Sequence, residues 1–413
     1  MPKNEEKEEI QGERVLVTEL KRCLNYISQE FVKSAKGIPM VISCISFISY
    51  RIRFIIIIAF VLFCQPDLFP QINDTVQSKK TPIKVAGFPV VFYTPETRLA
   101  GGIYTHFIYT GSPENHLSYF GIFAGLSLNK QYTFSLLPEL WWKKNVWHLN
   151  GELNWQYWPD KFFGLGNEIN MKDEEYYISK IKGIKLDLSR RLISEIYAGF
   201  LIELEHNRII EYDTVSYAQL PYGTIPGSKQ SLISGIGLSL ARDSRDIIFF
   251  PTDGAYYQVR LVYFSKIFGS TADYLKFVID LRQYLTLGNN HVLYLQGYAK
   301  FQTGHDIPFR NLSLFGGDNL MRGYFRGSYR DNNIIVLQAE YHTPYIWRFG
   351  GVVFVGAGDV FGPYSDNSLS KIKPSAGFGL RFLFLKKEKL NLRIDYGFGR
   401  GDRGLYVNIQ EAF

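Results

Sequence analysis

The chain has 413 residues, with 46 basic and 39 acidic side chains, a net charge of +7, 16% aromatic residues and 37 glycines. The two signs of charge are interleaved rather than gathered in a patch, which argues against nucleic acid as a partner. All three cysteines (Cys23, Cys44 and Cys64) lie near the N-terminus, so disulfides, thiolate catalysis and cysteine-based zinc sites are excluded from the rest of the chain.

Arg51 and Arg53 precede "FIIIIAFVLF", Phe54 to Phe63. A positive flank and an apolar run of that length form a secretory signal, too short for a spanning helix. Residues 1–65 therefore read as an N-terminal extension and signal peptide, with Met40 as an alternative start. Residues 66–83 read as a short periplasmic segment. Cys64 closes "VLFC", where the bulky Phe63 argues against a lipoprotein cleavage site.

Residues 84–413 read as one domain. No stretch beyond residue 64 approaches the roughly 20 apolar residues of a membrane helix. Instead the pattern has a period of two. In "AYYQVRLVYF" Tyr257, Val259, Leu261 and Tyr263 share a face opposite Gln258 and Arg260. In "LKFVIDLRQYL" Leu275, Phe277, Ile279 and Leu281 oppose Lys276, Asp280 and Arg282; in "LNLRIDYGFG" Leu390, Leu392, Ile394, Tyr396 and Phe398 oppose Asn391, Arg393 and Asp395. A soluble sandwich also alternates, but on strands of about five or six residues, whereas these run nearer the roughly ten of a tilted membrane strand. About sixteen such segments, joined alternately by short turns such as "LGNN" and by longer polar loops, predict an all-β, 16-stranded antiparallel transmembrane barrel. Excess aromatic residues and glycine with a mean hydropathy near zero agree.

Between two alternating segments lies "FGGDNLMRGYFRGSYRDNN", Phe315 to Asn333, with three arginines and four glycines. The chain then ends in "LYVNIQEAF", with Leu405, Val407, Ile409 and Phe413 in phase as in a terminal membrane strand, and Glu411 in the same phase as a departure.

Enzyme signals are missing: no Gly-x-Ser-x-Gly, His-Glu-x-x-His or Walker loop occurs. The acids of "ARDSRDIIFFPTDG" are turn formers, "GFGRGDRG" is a turn before the last strand, and His106, His116 and His148 lack ligand spacing. No metal, cofactor or enzymatic activity is expected.

"GGDNLMRGYF", Gly316 to Phe325, resembles the arginine-glycine-aromatic motif on the sixth extracellular loop of the BamA/TamA-type outer-membrane assembly barrels and the related two-partner secretion translocators. "DKFFGLGNE" (Asp160 to Glu168), "RDSRDIIFFPTDGAYY" (Arg242 to Tyr257), "VFVGAGDVFG" (Val353 to Gly362) and "LRIDYGFG" (Leu392 to Gly399) resemble further stretches of that family, in order. The resemblance implies a loop folded into the lumen, with the motif Met321, Arg322, Gly323 and Tyr324. It also implies that Arg322 meets carboxylates on the late strands. Asp395 is the first choice of partner and Glu340 the second, since a guanidinium fork suits carboxylates. Gly356 stands where secretion-branch members often carry an acid, and Asp359 is out of phase with it. A lumenal pair is expected to be screened by water and to fix the loop's position more than stability, with Arg326 and Arg330 on the loop surface.

The resemblance further implies a bacterial outer-membrane protein. Lipid, client outer-membrane or secreted proteins and envelope accessory proteins would be its partners. Its first and last strands, near Ala86 to Phe92 and Leu405 to Phe413, would part to insert or translocate chains. BamA and TamA types carry periplasmic domains of about 75 residues before the barrel, whereas only some twenty residues separate the expected cleavage site from the first strand. A passive channel and a scaffold barrel are the alternatives.

Overall fold

The computed structural model describes residues 83–413, apart from 110–117, 171, 214–217, 249, 366–368, 370 and 386–388. The expected signal peptide, the alternative start at Met40, Cys64 and His116 lie outside the described residues.

In chain order the strands are β1 (Ile83–Thr94), β2 (Arg98–Tyr109), β3 (Ser118–Ser127), β4 (Tyr132–Trp142), β5 (Trp147–Phe162), β6 (Glu175–Ile193), β7 (Ile196–Tyr212), β8 (Gln230–Asp243) and β9 (Gly254–Phe264). They continue with β10 (Tyr274–Thr286), β11 (Val292–Gly304), β12 (Ser313–Leu314), β13 (Arg330–Asp331), β14 (Asn333–His342), β15 (Phe349–Phe361), β16 (Lys373–Leu385), β17 (Leu390–Phe398) and β18 (Arg403–Ile409). Sixteen of them form a closed antiparallel barrel in which each strand pairs with its neighbours in sequence, β11 pairs with β14, and β18 returns to β1. The two-residue strands β12 and β13 pair with each other inside the long β11–β14 connection.

Alternation becomes geometry here, because successive side chains of a strand point to opposite faces. In β17 Asn391, Arg393 and Asp395 are buried inside the barrel, while Ile394 and Phe398 stand exposed on its outer face. The same inversion, polar within and apolar without, recurs at Leu261 and Leu281, at Leu337, and at Phe378 and Leu380. A soluble protein hides such side chains; a barrel in lipid presents them.

The connections segregate by rim. One rim carries 143–146, 194–195, 244–253, 287–291 and 343–348; the other carries the turns 95–97, 128–131 and 399–402 and the loops 163–174, 265–273, 305–332 and 362–372. Phe162, Tyr177, Leu201 and Ile209 of β5 to β7 form one buried apolar cluster with Phe309 and Leu312 of the β11–β14 connection. The strands β5, β6 and β7 are the longest, at 16, 19 and 17 residues.

Two expectations are corrected at the chain's end. Strand β18 stops at Ile409, because Gln410 has a left-handed φ of 73° and turns the tail inward. Glu411 therefore leaves the outward phase and accepts from Arg381 Nε at 2.7 Å and Asn391 Nδ2 at 2.6 Å. Phe413 is buried as well, in a cluster with Tyr284, Val292 and Tyr294 at the short-turn rim. It does not extend the outward row of Leu405, Val407 and Ile409.

Candidate functional site

The β11–β14 connection, residues 305–332, folds into the barrel. Met321, with φ 55°, and Gly323, with φ 106°, are both left-handed, and between them Arg322 is aimed at the late strands. Close approach depends on glycine. A Cβ at Gly397 of β17 would lie 2.7 Å from the backbone of Arg322 and Gly323, and one at Gly323 would lie 2.5 Å from the carbonyl carbon of Phe398. At Gly356 a Cβ would stand 3.1 Å from the Met321 sulfur, so the position that carries an acid in the secretion branch here makes room for a loop side chain. Tyr324 locks the other side: its hydroxyl donates to Pro374 O and accepts from Arg400 N, both at 2.7 Å.

Arg322 is 1% exposed, and Asp395 and Glu340 are fully buried. The guanidinium donates through Nη1 to Asp395 at 2.5 Å and through Nη2 to Glu340, and its plane lies 3.7 Å from the Phe354 ring centre. The expectation of a water-screened pair is not met. The loop above and the inturned tail below seal the site, so the charges face a medium in which both attraction and the cost of a lost partner are large.

Two further arginines complete the network. Arg381 of β16 donates to Asp395 at 2.5 Å and to Glu411 at 2.7 Å, and lies 3.6 Å from Glu340. Arg393 of β17 approaches Asp395 at 3.5 Å and Asp318 of the loop at 3.2 Å. One chain of ion pairs thus joins the loop, strands β14, β16 and β17, and the C-terminal tail. The sequence pattern put Arg393 on the lumenal face without giving it a partner, and it left Arg381 unassigned, although Arg381 stands in the same phase. The available signal was "GFGLRF", where Gly377, Gly379 and Arg381 alternate; Gly379 leaves the space that Asp395 occupies.

Arg330 is a correction. Expected on the loop surface, it is 2% exposed, lies over Phe162 at 5.0 Å and Phe309 at 5.5 Å, and donates to the carbonyls of Gly327 and Lys161. The reason is that loop 163–174 folds onto it: Gly166 N donates to Arg330 O at 2.8 Å, and Asn167 N to Ser365 Oγ at 3.0 Å. Asp359 lies under these loops and accepts from Lys373 Nζ at 2.7 Å. No register shift accompanies it in the β14–β15 ladder. Arg326 is exposed, as expected.

Among the described residues one group has metal-ligand spacing, Glu340, His342 and Glu411, with donor atoms within 4.8 Å of one another. Arg322 and Arg381 already hold these carboxylates, and a dication there would face two guanidiniums. The donor set fits an ion-pair network better than a metal centre. His148 accompanies Glu139 at 2.7 Å and stacks on Trp141, and His106 lies against Tyr104 and Tyr119.

The wall is weakest where it closes. Strands β1 and β18 share a single registered pair, Tyr93 with Val407, and among the described residues β18 offers no partner to Ile83–Phe92. In the β1–β2 turn, Glu96 is half-buried, and its carboxyl is pushed above the usual carboxylate range by burial, against the lowering effect of a bond from Arg326 N.

A closed sixteen-stranded barrel, apolar outside and charged inside, with an arginine-bearing loop in its lumen, defines a transmembrane barrel of the outer-membrane type. The Omp85 superfamily domain matches residues 118–410, and the chain belongs to that superfamily of outer-membrane proteins. Barrels of this family are in general assembly and transport proteins without enzymatic activity. Among solved structures the chain resembles BamA from Haemophilus ducreyi lacking POTRA domains 1-3, at 13% identity and a TM-score of 0.57, covering 83% of this chain and 74% of that one. It also resembles CdiB from Escherichia coli (12%, TM-score 0.53, 81% of this chain and 63% of that one) and CdiB from Acinetobacter baumannii (14%, 0.51, 79% and 60%). The chain thus spans less than two thirds of either CdiB, and at these identities the likeness is one of fold. No curated protein matches it.

Proposed function

We propose that this barrel inserts or translocates protein chains at the outer membrane, engaging a client strand at the β1/β18 seam. The observation that carries the reading is the seam itself: one registered pair, with the β1 edge from Ile83 to Phe92 left without a β18 partner. An unpaired edge is a template for an added strand, and Leu405, Val407 and Ile409 face outward on its other lip. In this reading Met321, Arg322, Gly323 and Tyr324 hold the lumen in register, with Asp395 and Glu340 as the anchors of Arg322. Client outer-membrane or secreted chains and lipid are the partners, and envelope accessory proteins supply the delivery.

Depletion followed by outer-membrane proteomics tests it. General loss of barrel proteins or of a secreted client is expected. Loss of uptake of one solute with the proteome intact would instead support a passive channel. In planar bilayers the loop-filled lumen predicts low conductance, and a large steady pore would count against it.

A further inference from the structure

We infer that loop 305–332 is a clasp across the β1/β18 seam and that Glu96 is its catch on the β1 side. Three backbone N–H groups within four residues of the loop are shared between the two lips. Gly323 N donates to the Tyr406 hydroxyl of β18 at 3.0 Å, and Phe325 N to Asp402 Oδ2 in the β17–β18 turn at 3.0 Å. The next residue, Arg326, donates its N–H to Glu96 Oε1 at 2.6 Å. Where β1 and β18 pair only through Tyr93 and Val407, the loop adds a second, charged tie between them.

The tie is built unequally, and that decides which end lets go. On the β18 side the loop is held by the buried pairs of Arg322, by the Gly323–Gly397 backbone contact and by both bonds of the Tyr324 hydroxyl. On the β1 side Glu96 makes one bond to it. Glu96 cannot follow the loop, because its own carbonyl is fastened the other way, accepting from Asn129 Nδ2 at 2.6 Å and Gln131 Nε2 at 3.2 Å in the β3–β4 turn. When the lips separate, the loop stays with β18 and the Glu96 bond breaks. Glu96 is therefore a gate-positioning residue. Its carboxylate acts through geometry, and the seam opening it governs is the one on which the proposed function rests.

The test is hydrogen exchange, read by mass spectrometry, on the full chain in lipid nanodiscs. Glu96→Ala is expected to speed exchange of the segment containing Arg326 and of the segment containing Val407 by about tenfold, the scale of one hydrogen bond to a charged acceptor. The β14–β17 segments should stay protected. Glu96→Gln keeps a carbonyl oxygen for the Arg326 N–H and is expected to restore most of the protection. Unchanged exchange at both segments in Glu96→Ala overturns the clasp, as does Glu96→Gln behaving like Ala. Increased exchange in Glu96→Ala with normal client insertion in cells leaves the clasp standing and refutes insertion through the seam. The two readings therefore fail separately.

Discussion

Between β5 and β6 the register runs unbroken from Trp147 opposite Arg190 to Phe162 opposite Glu175; between β1 and β18, Tyr93 opposite Val407 stands alone. Both are antiparallel contacts between neighbouring strands of one sheet. The first is held by its backbone ladder, the second by what is folded against it from inside. Next to the seam, β14, β16 and β17 are fastened by buried ion pairs through the loop, so the weak joint borders a heavily cross-linked wall. If the proposed function holds, a barrel arranged in this way opens at one place and stays shaped everywhere else, because local stability follows the local density of satisfied contacts.

That contrast can be broken most forcefully at Arg322. Arg322→Ala leaves Asp395 and Glu340 buried with one cation fewer between them, at a cost of about 3–5 kcal/mol. The expected result is loss of the heat-dependent mobility shift on gels and reduced surface levels; a normal shift would show that the network is dispensable. Next comes Gly323→Ala, which places a Cβ against Phe398 and holds an L residue at φ 106°. A cost of about 1–3 kcal/mol is expected, read as protease nicking of loop 305–332 in a barrel that still assembles. Glu411→Ala should cost about 1–3 kcal/mol. Arg381 keeps Asp395, so the loss falls on the tail, and carboxypeptidase should reach Phe413 in the variant but not in the parent. At the small end, Leu380→Ala on the lipid face should cost about 1 kcal/mol in chemical denaturation from lipid, the transfer to water of the side-chain carbons that lipid had covered. A large effect there would mean that the outer face is packed against something other than lipid.

Much of the barrel was legible because a two-residue period survives any register, so Leu390 to Phe398 could be assigned to faces without knowledge of their neighbours. Arg322 was legible from the motif around it. Arg381 and Arg393 were not, since an arginine facing a water-filled lumen and one facing a buried carboxylate produce the same alternation. The tail misled for a different reason: one non-glycine residue in the left-handed region, Gln410, reverses the phase of everything after it, and nothing in "NIQEAF" announces that. Arg330 was misplaced because its partners Phe162, Phe309 and Lys161 lie far away in the chain. Glu96 sits in "TPETR", which announces a turn and gives no hint of what crosses above it.

The uneven lengths of the strands have a consequence for the protein's profile above the bilayer. A strand of 19 residues, such as β6, rises about 44 Å at roughly 3.3 Å per residue and a 45° tilt, against an apolar band of about 25 Å. On the outward face of β6 and β7, Lys180, Lys182, His206 and Arg208 mark where that band ends, and the sheet continues past them. The rim is therefore a parapet, tall over β5 to β7 and cut low where the turns at 95–97 and 399–402 meet. A bulky molecule approaching from outside is kept off the tall side by the sheet itself. Among the described residues the low stretch of this rim, which runs on to the turn at 128–131, includes the β1/β18 seam at which the proposed function places the opening.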